Sequence, residues 1–98
     1  MGSINTGDHR RWRRDERTLW RAGPGAVVVL LGPRDTGPRS LRGTGAALWS
    51  ALDGPPRSVQ EVAGRLATEF RADPDAVRRD VDPIIAELAR VGVLVEDS

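Results

Sequence analysis

A run of six apolar residues at positions 26–31, AVVVLL, lies between two segments rich in Gly and Pro. Three of the six are valines, whose branched side chains favour an extended backbone. A run this short, with turn residues on both sides, is typical of a buried strand and too brief for an ordinary helix. The sequence therefore predicts a strand at 26–31 as the centre of the fold.

Two further strands are predicted beside this run. Residues 17–22 precede the turn at 23–25, where Pro presets the bend and Gly tolerates a positive φ. Residues 39–42 follow the loop GPRDTGP and alternate polar with apolar side chains. Because consecutive strands usually pair, we expect a small antiparallel sheet whose short last strand has an open edge.

Three helices are expected after the strands. Thr44 fits the N-cap of the first helix, which the sequence DGPP at 53–56 ends. Ser58 and Glu61 have the spacing of a capping box at the start of the second. Asp73-Pro74 combines a cap with a proline in the first turn, and so begins the third.

The third helix contains a proline in its interior. Its core-facing stripe is expected to consist of Val77, Val81, Ile84, Leu88 and Val91. Pro83 removes the hydrogen bond to the Arg79 carbonyl, at a cost of about 3 kcal/mol if nothing compensates. We expect one kinked helix ending at Gly92 and a short strand at 93–95, with a break into two helices as the alternative.

Because the strands precede the helices, the fold class is α+β. The arrangement is winged helix-turn-helix-like, with a three-stranded antiparallel N-terminal sheet packed on three helices. Residues 1–14, MGSINTGDHRRWRR, have no periodic apolar pattern and are predicted to be a flexible basic arm. Residues 15–98 are then the folded domain.

The composition contains few of the groups that enzymes use. Among 98 residues there is no Cys, and His9 is the single His. Thiolate metal sites, disulfide frameworks and Ser-His-Asp triads therefore lack their parts. We expect no catalytic site, no metal and no cofactor. No apolar run approaches the ~20 residues that span a bilayer, so a cytoplasmic protein without membrane contact is expected.

A winged helix-turn-helix arrangement raises the question of DNA binding, with the third helix in the groove. That helix carries three arginines against four acids: Arg78, Arg79 and Arg90 against Asp75, Asp80, Asp82 and Glu87. A helix that neutralises phosphates should be basic, so the sequence disfavours nucleic acid as a partner. A DNA-binding winged-helix regulator and a general protein-interaction module remain as alternatives.

The short strand at 39–42 suggests a different partner. Its edge offers unpaired N–H and C=O groups to which an extended peptide can add. Arg39 and Arg42 could equally blunt an edge that binds nothing. The residues alone leave both interpretations open.

Several short motifs occur in a recognisable order. LRGTGAALW at 41–49 is followed by Asp-Gly at 53–54, Ser-Val-x-Glu at 58–61 with Leu66, Asp-Val at 80–81, and Leu-x-x-x-Gly-Val-Leu at 88–94. In this order the chain resembles, over residues 17–96, the PqqD-like family of RiPP recognition elements. The resemblance implies binding of the leader segment of a ribosomally synthesised precursor peptide. It also implies presentation to a maturation enzyme such as a leader peptidase, cyclase or radical-SAM protein.

The resemblance also implies a binding site. The leader would add beside Arg39, Ser40, Leu41 and Arg42, against a helix wall of Arg78, Val81, Asp82 and Ile85. The arginines would pair with acidic leader residues, while Val81 and Ile85 would hold an apolar or aromatic anchor. The chain departs from the family in its Gly- and Pro-rich loop before 39, which lacks an aromatic, and in Pro83 on the wall helix.

Overall fold

The structure is a computed structural model that describes residues 10–97. Its elements, in chain order, are β1 (Arg11–Arg14), β2 (Leu19–Gly23), β3 (Val27–Leu31), β4 (Arg39–Leu41), α1 (Thr44–Ala51), β5 (Arg57–Ser58), α2 (Val59–Phe70), α3 (Pro74–Arg90) and β6 (Leu94–Asp97). The strands form two three-stranded sheets, in the orders β2-β3-β4 and β5-β1-β6. The predicted α+β class, with a three-stranded N-terminal sheet and three helices, is confirmed.

The central sheet β2-β3-β4 is antiparallel, and the apolar run forms its middle strand. Along β3, Val28 and Leu30 are buried while Val29 and Leu31 are exposed, because successive side chains point to opposite faces. The inner face covers a core shared with the three helices, in which Leu48, Trp49, Val62 and Val93 are almost fully buried. β4 pairs only with β3 within residues 10–97, so its outer edge is open as predicted.

Helix capping follows the sequence with one exception. Ser58 Oγ accepts from the Glu61 N–H at 3.1 Å and Glu61 Oε1 accepts from the Ser58 N–H at 2.8 Å, which confirms the capping box. Asp73 caps α3 by accepting from the Ala76 N–H at 3.1 Å. Thr44, however, is the first residue of α1, and the predicted cap there is wrong. Gly43 takes the N-cap position with a φ of 54°, a conformation that glycine adopts without strain.

Pro83 lies inside a helix that runs from Pro74 to Arg90 without a break. The expected single helix is confirmed, and the alternative of two helices is wrong. Pro83 is exposed, and the opposite face of α3 packs into the core. Water can therefore satisfy the carbonyl that loses its partner, and core packing holds the helix together.

The segment 11–14 is a strand, so the flexible-arm prediction is wrong for these residues; residues 1–9 of the predicted arm lie outside the described part. Arg11 pairs with Asp97 and Arg14 with Leu94 in an antiparallel ladder between β1 and β6. The basic β1 meets an acidic β6, and Arg13 forms an ion pair with Asp97 at 3.6 Å. Because RWRR has a single apolar residue, periodicity could not reveal this strand.

Arg14 connects the two sheets. Its guanidinium stacks on the ring of Trp20, 4.7 Å from the centroid, and on the ring of Trp49, 4.6 Å from the centroid. Arg14 Nε also donates to the Trp49 carbonyl at 3.1 Å. Partial burial lowers the pKa of Arg14 from its ordinary value, against the opposite influence of Asp53. A basic residue of the N-terminal segment is thus part of the domain interior.

None of the helices within residues 10–97 has both the length and the hydropathy that a membrane span needs.

Candidate functional site

The open edge of β4 lies next to α3. Arg39 Nη1 is 3.8 Å from Glu87 Oε2, which places the start of the strand beside the last turns of the helix. Ile84 lies one turn before Glu87 on the same side of α3, and both Ile84 and Leu41 are half-buried against the core. We call this region the edge site: Arg39, Ser40 and Leu41 on β4, with Ile84 and Glu87 on α3.

The loop before β4 fixes the direction of the Arg39 side chain. Asp35 accepts from Arg39 Nη2 at 2.7 Å and from Nε at 3.3 Å, and it also accepts from the Gly32 N–H at 2.9 Å. The hydrogen bond from Arg39, then that from Gly32, holds the pKa of Asp35 below its ordinary value. The same pairing raises the pKa of Arg39. The buried carboxylate of Asp35 therefore orients the Arg39 guanidinium within the edge site.

On the helix side, Glu87 is engaged by Arg90. Arg90 donates to Glu87 through Nη2 at 2.6 Å and Nε at 3.1 Å. This pairing is the main cause that lowers the pKa of Glu87 and raises that of Arg90. Two acids and two arginines, Asp35, Arg39, Glu87 and Arg90, thus form a chain of ion pairs across one end of the edge site.

The strand half of the predicted site lies where the sequence indicates. Arg39, Ser40 and Leu41 form the edge strand β4, and Arg42 follows it as an exposed residue. Within residues 10–97 Arg42 makes no ion pair, whereas Arg39 is held by Asp35. Their role in peptide binding stays a prediction.

The helix half of the predicted site needs correction. Val81 and Ile85 are 0% and 3% exposed, so both belong to the core and cannot present an anchor pocket at the surface. Arg78 and Asp82 form an ion pair with each other at 3.8 Å. At ~100° per residue they lie about 140–180° around the α3 axis from Glu87, away from the side that meets Arg39.

The residues that face β4 were missed for a reason. The sequence predicts Ile84 in the core stripe and Ile85 in the wall, whereas the structure buries Ile85 and leaves Ile84 partly exposed. Two adjacent isoleucines fit an amphipathic pattern almost equally well, and a shift of one residue rotates the assignment by ~100°. Glu87 gives no periodic signal at all, since only the tertiary fold brings it to Arg39.

A cleft lies elsewhere on the molecule, away from the edge site. It encloses about 760 Å³ between the β2–β3 turn, α1 and the end of α2. Most of its lining is small or apolar, including Ala22, Ala47 and Phe70, and it shares no lining residue with the edge site. Within residues 10–97 no three His, Cys, Asp or Glu side chains cluster as a metal site would require.

Comparison with known proteins assigns the chain to a family. The family model described as coenzyme PQQ synthesis protein D (PqqD) matches residues 28–94, which extend from β3 to the start of β6. The chain belongs to the PqqD family. A search of curated protein sequences finds no match.

Solved structures share the PqqD fold of this chain. "TbiB1 in complex with the TbiA(beta) leader peptide" has a TM-score of 0.71 and 22% identity, over 84% of this chain and 93% of that one. The solution structure of the PqqD truncation of Methylobacterium extorquens PqqCD has a TM-score of 0.70 and 27% identity, over 87% and 88%. That relative is described as a functional, stand-alone RiPP recognition element.

Proposed function

We propose that this PqqD-family chain binds the leader segment of a ribosomally synthesised precursor peptide as an added strand on β4. It presents that peptide to a maturation enzyme such as a leader peptidase, cyclase or radical-SAM protein. The observation that carries the proposal is the open edge of β4 beside half-buried apolar residues of α3, in the fold of a recognition element. The related TbiB1 structure is described as a complex with a leader peptide.

Strand addition uses two kinds of contact at the edge site. The main-chain N–H and C=O groups on the outer edge of β4 bind any extended chain, which supplies affinity without sequence preference. Alternate side chains of the added strand point inward, towards Leu41 and Ile84, and these contacts supply the preference. Both kinds are binding interactions, so the function we propose is recognition and not catalysis.

The direct test uses the leader segment of a precursor peptide encoded beside the gene for this chain. Titration of the ¹⁵N-labelled chain should perturb the amides of 39–42 together with those of 84–87. Perturbations confined to the cleft between α1 and the end of α2 would place the peptide elsewhere and overturn the proposal. Duplex DNA in the same titration tests the alternative of a winged-helix regulator.

A second experiment tests the strand geometry itself. Peptides carrying an N-methyl group at one amide at a time remove a single donor without changing any side chain. Along an added strand, alternate amides point to β4, so methylation at every second position of the bound segment should abolish binding. A peptide that docks through side chains alone would show no such alternation.

A further inference from the structure

The Arg39 guanidinium has more N–H donors than Asp35 satisfies. Arg39 uses Nε and Nη2 for Asp35, and its Nη1 forms no hydrogen bond within residues 10–97. Glu87 Oε2 lies 3.8 Å from Nη1, which is beyond hydrogen-bond distance. Arg39 is only 30% exposed. It therefore offers a partly desolvated cationic donor whose direction is already fixed by a buried carboxylate.

Glu87 occupies the place beside this donor without satisfying it. Both of its oxygens accept from Arg90, at 2.6 Å and 3.1 Å, and its side chain is 48% exposed. The side chain can therefore turn towards solvent while it keeps its pairing with Arg90. A carboxylate from a bound molecule would then meet Arg39 at hydrogen-bond distance, which Glu87 does not reach.

The register of β4 predicts the position of that carboxylate along an added strand. Arg39 lies opposite Leu30 and Leu41 opposite Val28, and both partners are buried, so Arg39 and Leu41 point to the inner face. Residues directly opposite each other in a sheet point to the same face. The two residues of an added strand that lie opposite Leu41 and Arg39 are two positions apart, and both would face inward.

We propose that the edge site selects a leader segment in which an acidic residue lies two positions from an apolar residue, a selectivity that rests on the proposed function of the site. The carboxylate binds Arg39 Nη1 in place of Glu87, and the apolar side chain packs on Leu41 and Ile84. In antiparallel addition the segment reads apolar-x-acid from its N-terminal side. Arg39 is then the specificity-determining residue, and Arg78, on the far side of α3, takes no part.

Selection from a random peptide library tests this preference without knowledge of the natural leader. A phage-displayed library of 12-residue peptides is panned on the 98-residue chain. Enriched peptides should share an acidic residue two positions after an apolar one. Enriched peptides that perturb the amides of 39–42 but show no acidic preference would overturn this inference and leave the proposed function standing. No enrichment, or enrichment with no change at 39–42, would overturn both.

Affinity measurements on one selected peptide identify the residue responsible. Replacing the peptide acid with its amide should weaken binding to the wild-type chain by roughly three- to tenfold. The same replacement should change little in Arg39→Met, so the two changes are not additive. Equal losses in both proteins would overturn the assignment to Arg39.

Glu87→Gln provides an independent variant on an exposed residue. Removal of the competing charge should tighten binding of the acidic peptide by roughly two- to fivefold and leave the amide peptide nearly unchanged. Glu69→Gln makes the same charge change on α2, at an exposed residue that lines the separate cleft and not the edge site, and serves as the control. Weaker binding of the acidic peptide to Glu87→Gln would contradict the displacement of Glu87.

Discussion

Within residues 10–97 the central sheet has two free edges, β2 and β4, and they differ in what lies beside them. Leu19 of β2 is 67% exposed, and the nearby Trp20 packs on Trp49 and Arg14, which are parts of the domain interior. β4 instead begins beside α3, where Arg39 approaches Glu87, and Leu41 and Ile84 are each half-buried against the core. Both edges offer main-chain groups, but the helix side of β2 is occupied by the packed rings of Trp20 and Trp49, whereas β4 carries an oriented arginine and the half-buried Leu41. An open edge therefore becomes selective through the side chains that lie beside it.

The largest expected effect separates the two isoleucines of the helix beside β4. Ile85→Ala should lower the free energy of unfolding by about 2–4 kcal/mol, because Ile85 is buried in the core. Ile84→Ala should cost less stability and should weaken leader binding instead. Chemical denaturation and titration calorimetry on both variants measure the two quantities. The reverse result would mean that Ile85, and not Ile84, contacts the leader, as the sequence predicts.

A matched pair of substitutions then compares the edges directly. Leu41→Asp puts a carboxylate against the apolar part of the edge site and should weaken leader binding about 30-fold or more, which corresponds to about 2 kcal/mol. Leu19→Asp introduces the same carboxylate on the exposed face of β2 and should leave affinity unaltered. Circular dichroism of each variant verifies the fold. If Leu19→Asp also weakened binding, β2 would share in the site.

The contacts at the β2 side are expected to be structural. Arg14→Met removes a cation held between Trp20 and Trp49 and a donor to the Trp49 carbonyl. The free energy of unfolding should fall by about 1–3 kcal/mol. Leader affinity, measured by calorimetry well below the melting temperature, should stay within twofold of wild type. A loss of affinity larger than this would connect the Trp20 region to binding.

The smallest expected effect is on acid stability. The pKa of Asp35 lies below its ordinary value of 3.8, chiefly because Arg39 donates to the carboxylate. The ionised carboxylate therefore stabilises the folded state above about pH 4, and this contribution is lost as the pH falls through the lowered pKa. The pKa of Asp15 is lowered in the same way, chiefly because Arg17 donates to its carboxylate, so its contribution to stability has the same pH dependence.

Asparagine variants of these two acids should lose the same pH-dependent stabilisation but differ in leader binding. Asp35→Asn and Asp15→Asn should each flatten the fall of stability between pH 5 and pH 2, followed by urea denaturation at each pH. Only Asp35→Asn should also weaken leader binding, since it releases Arg39. Identical binding by both variants would mean that the orientation of Arg39 does not matter.

Much of the fold follows from local patterns in the sequence. The apolar run between Gly and Pro predicts β3, and the spacing of Ser58 and Glu61 predicts the start of α2. Asp73-Pro74 predicts the start of α3, because each of these signals is contained within a few residues. Pro83 could be tolerated because tertiary packing outweighs a local preference.

The remainder depends on contacts that no local pattern contains. β1 has arginines where an ordinary strand has apolar residues, and its partner β6 lies about 80 residues later in the sequence. In the edge site, the sequence predicts the strand at 39–42 but places Ile85 in the helix wall, and the structure buries Ile85 in the core. The approach of Arg39 to Glu87 exists only once β4 and α3 are packed together.

The pairing of β1 with β6 has a consequence for how the domain can be joined to other proteins. Arg11 lies directly across from Asp97, so the first and last strands of the described chain begin and finish at one place. A protein fused N-terminal to Arg11 or C-terminal to Asp97 would be attached at nearly the same point of the domain. Its linker would then need a similar length to reach the edge site. The two positions could also be bridged by a few residues and the chain reopened in the loop 32–38, which would give a circularly permuted domain with new ends next to β4.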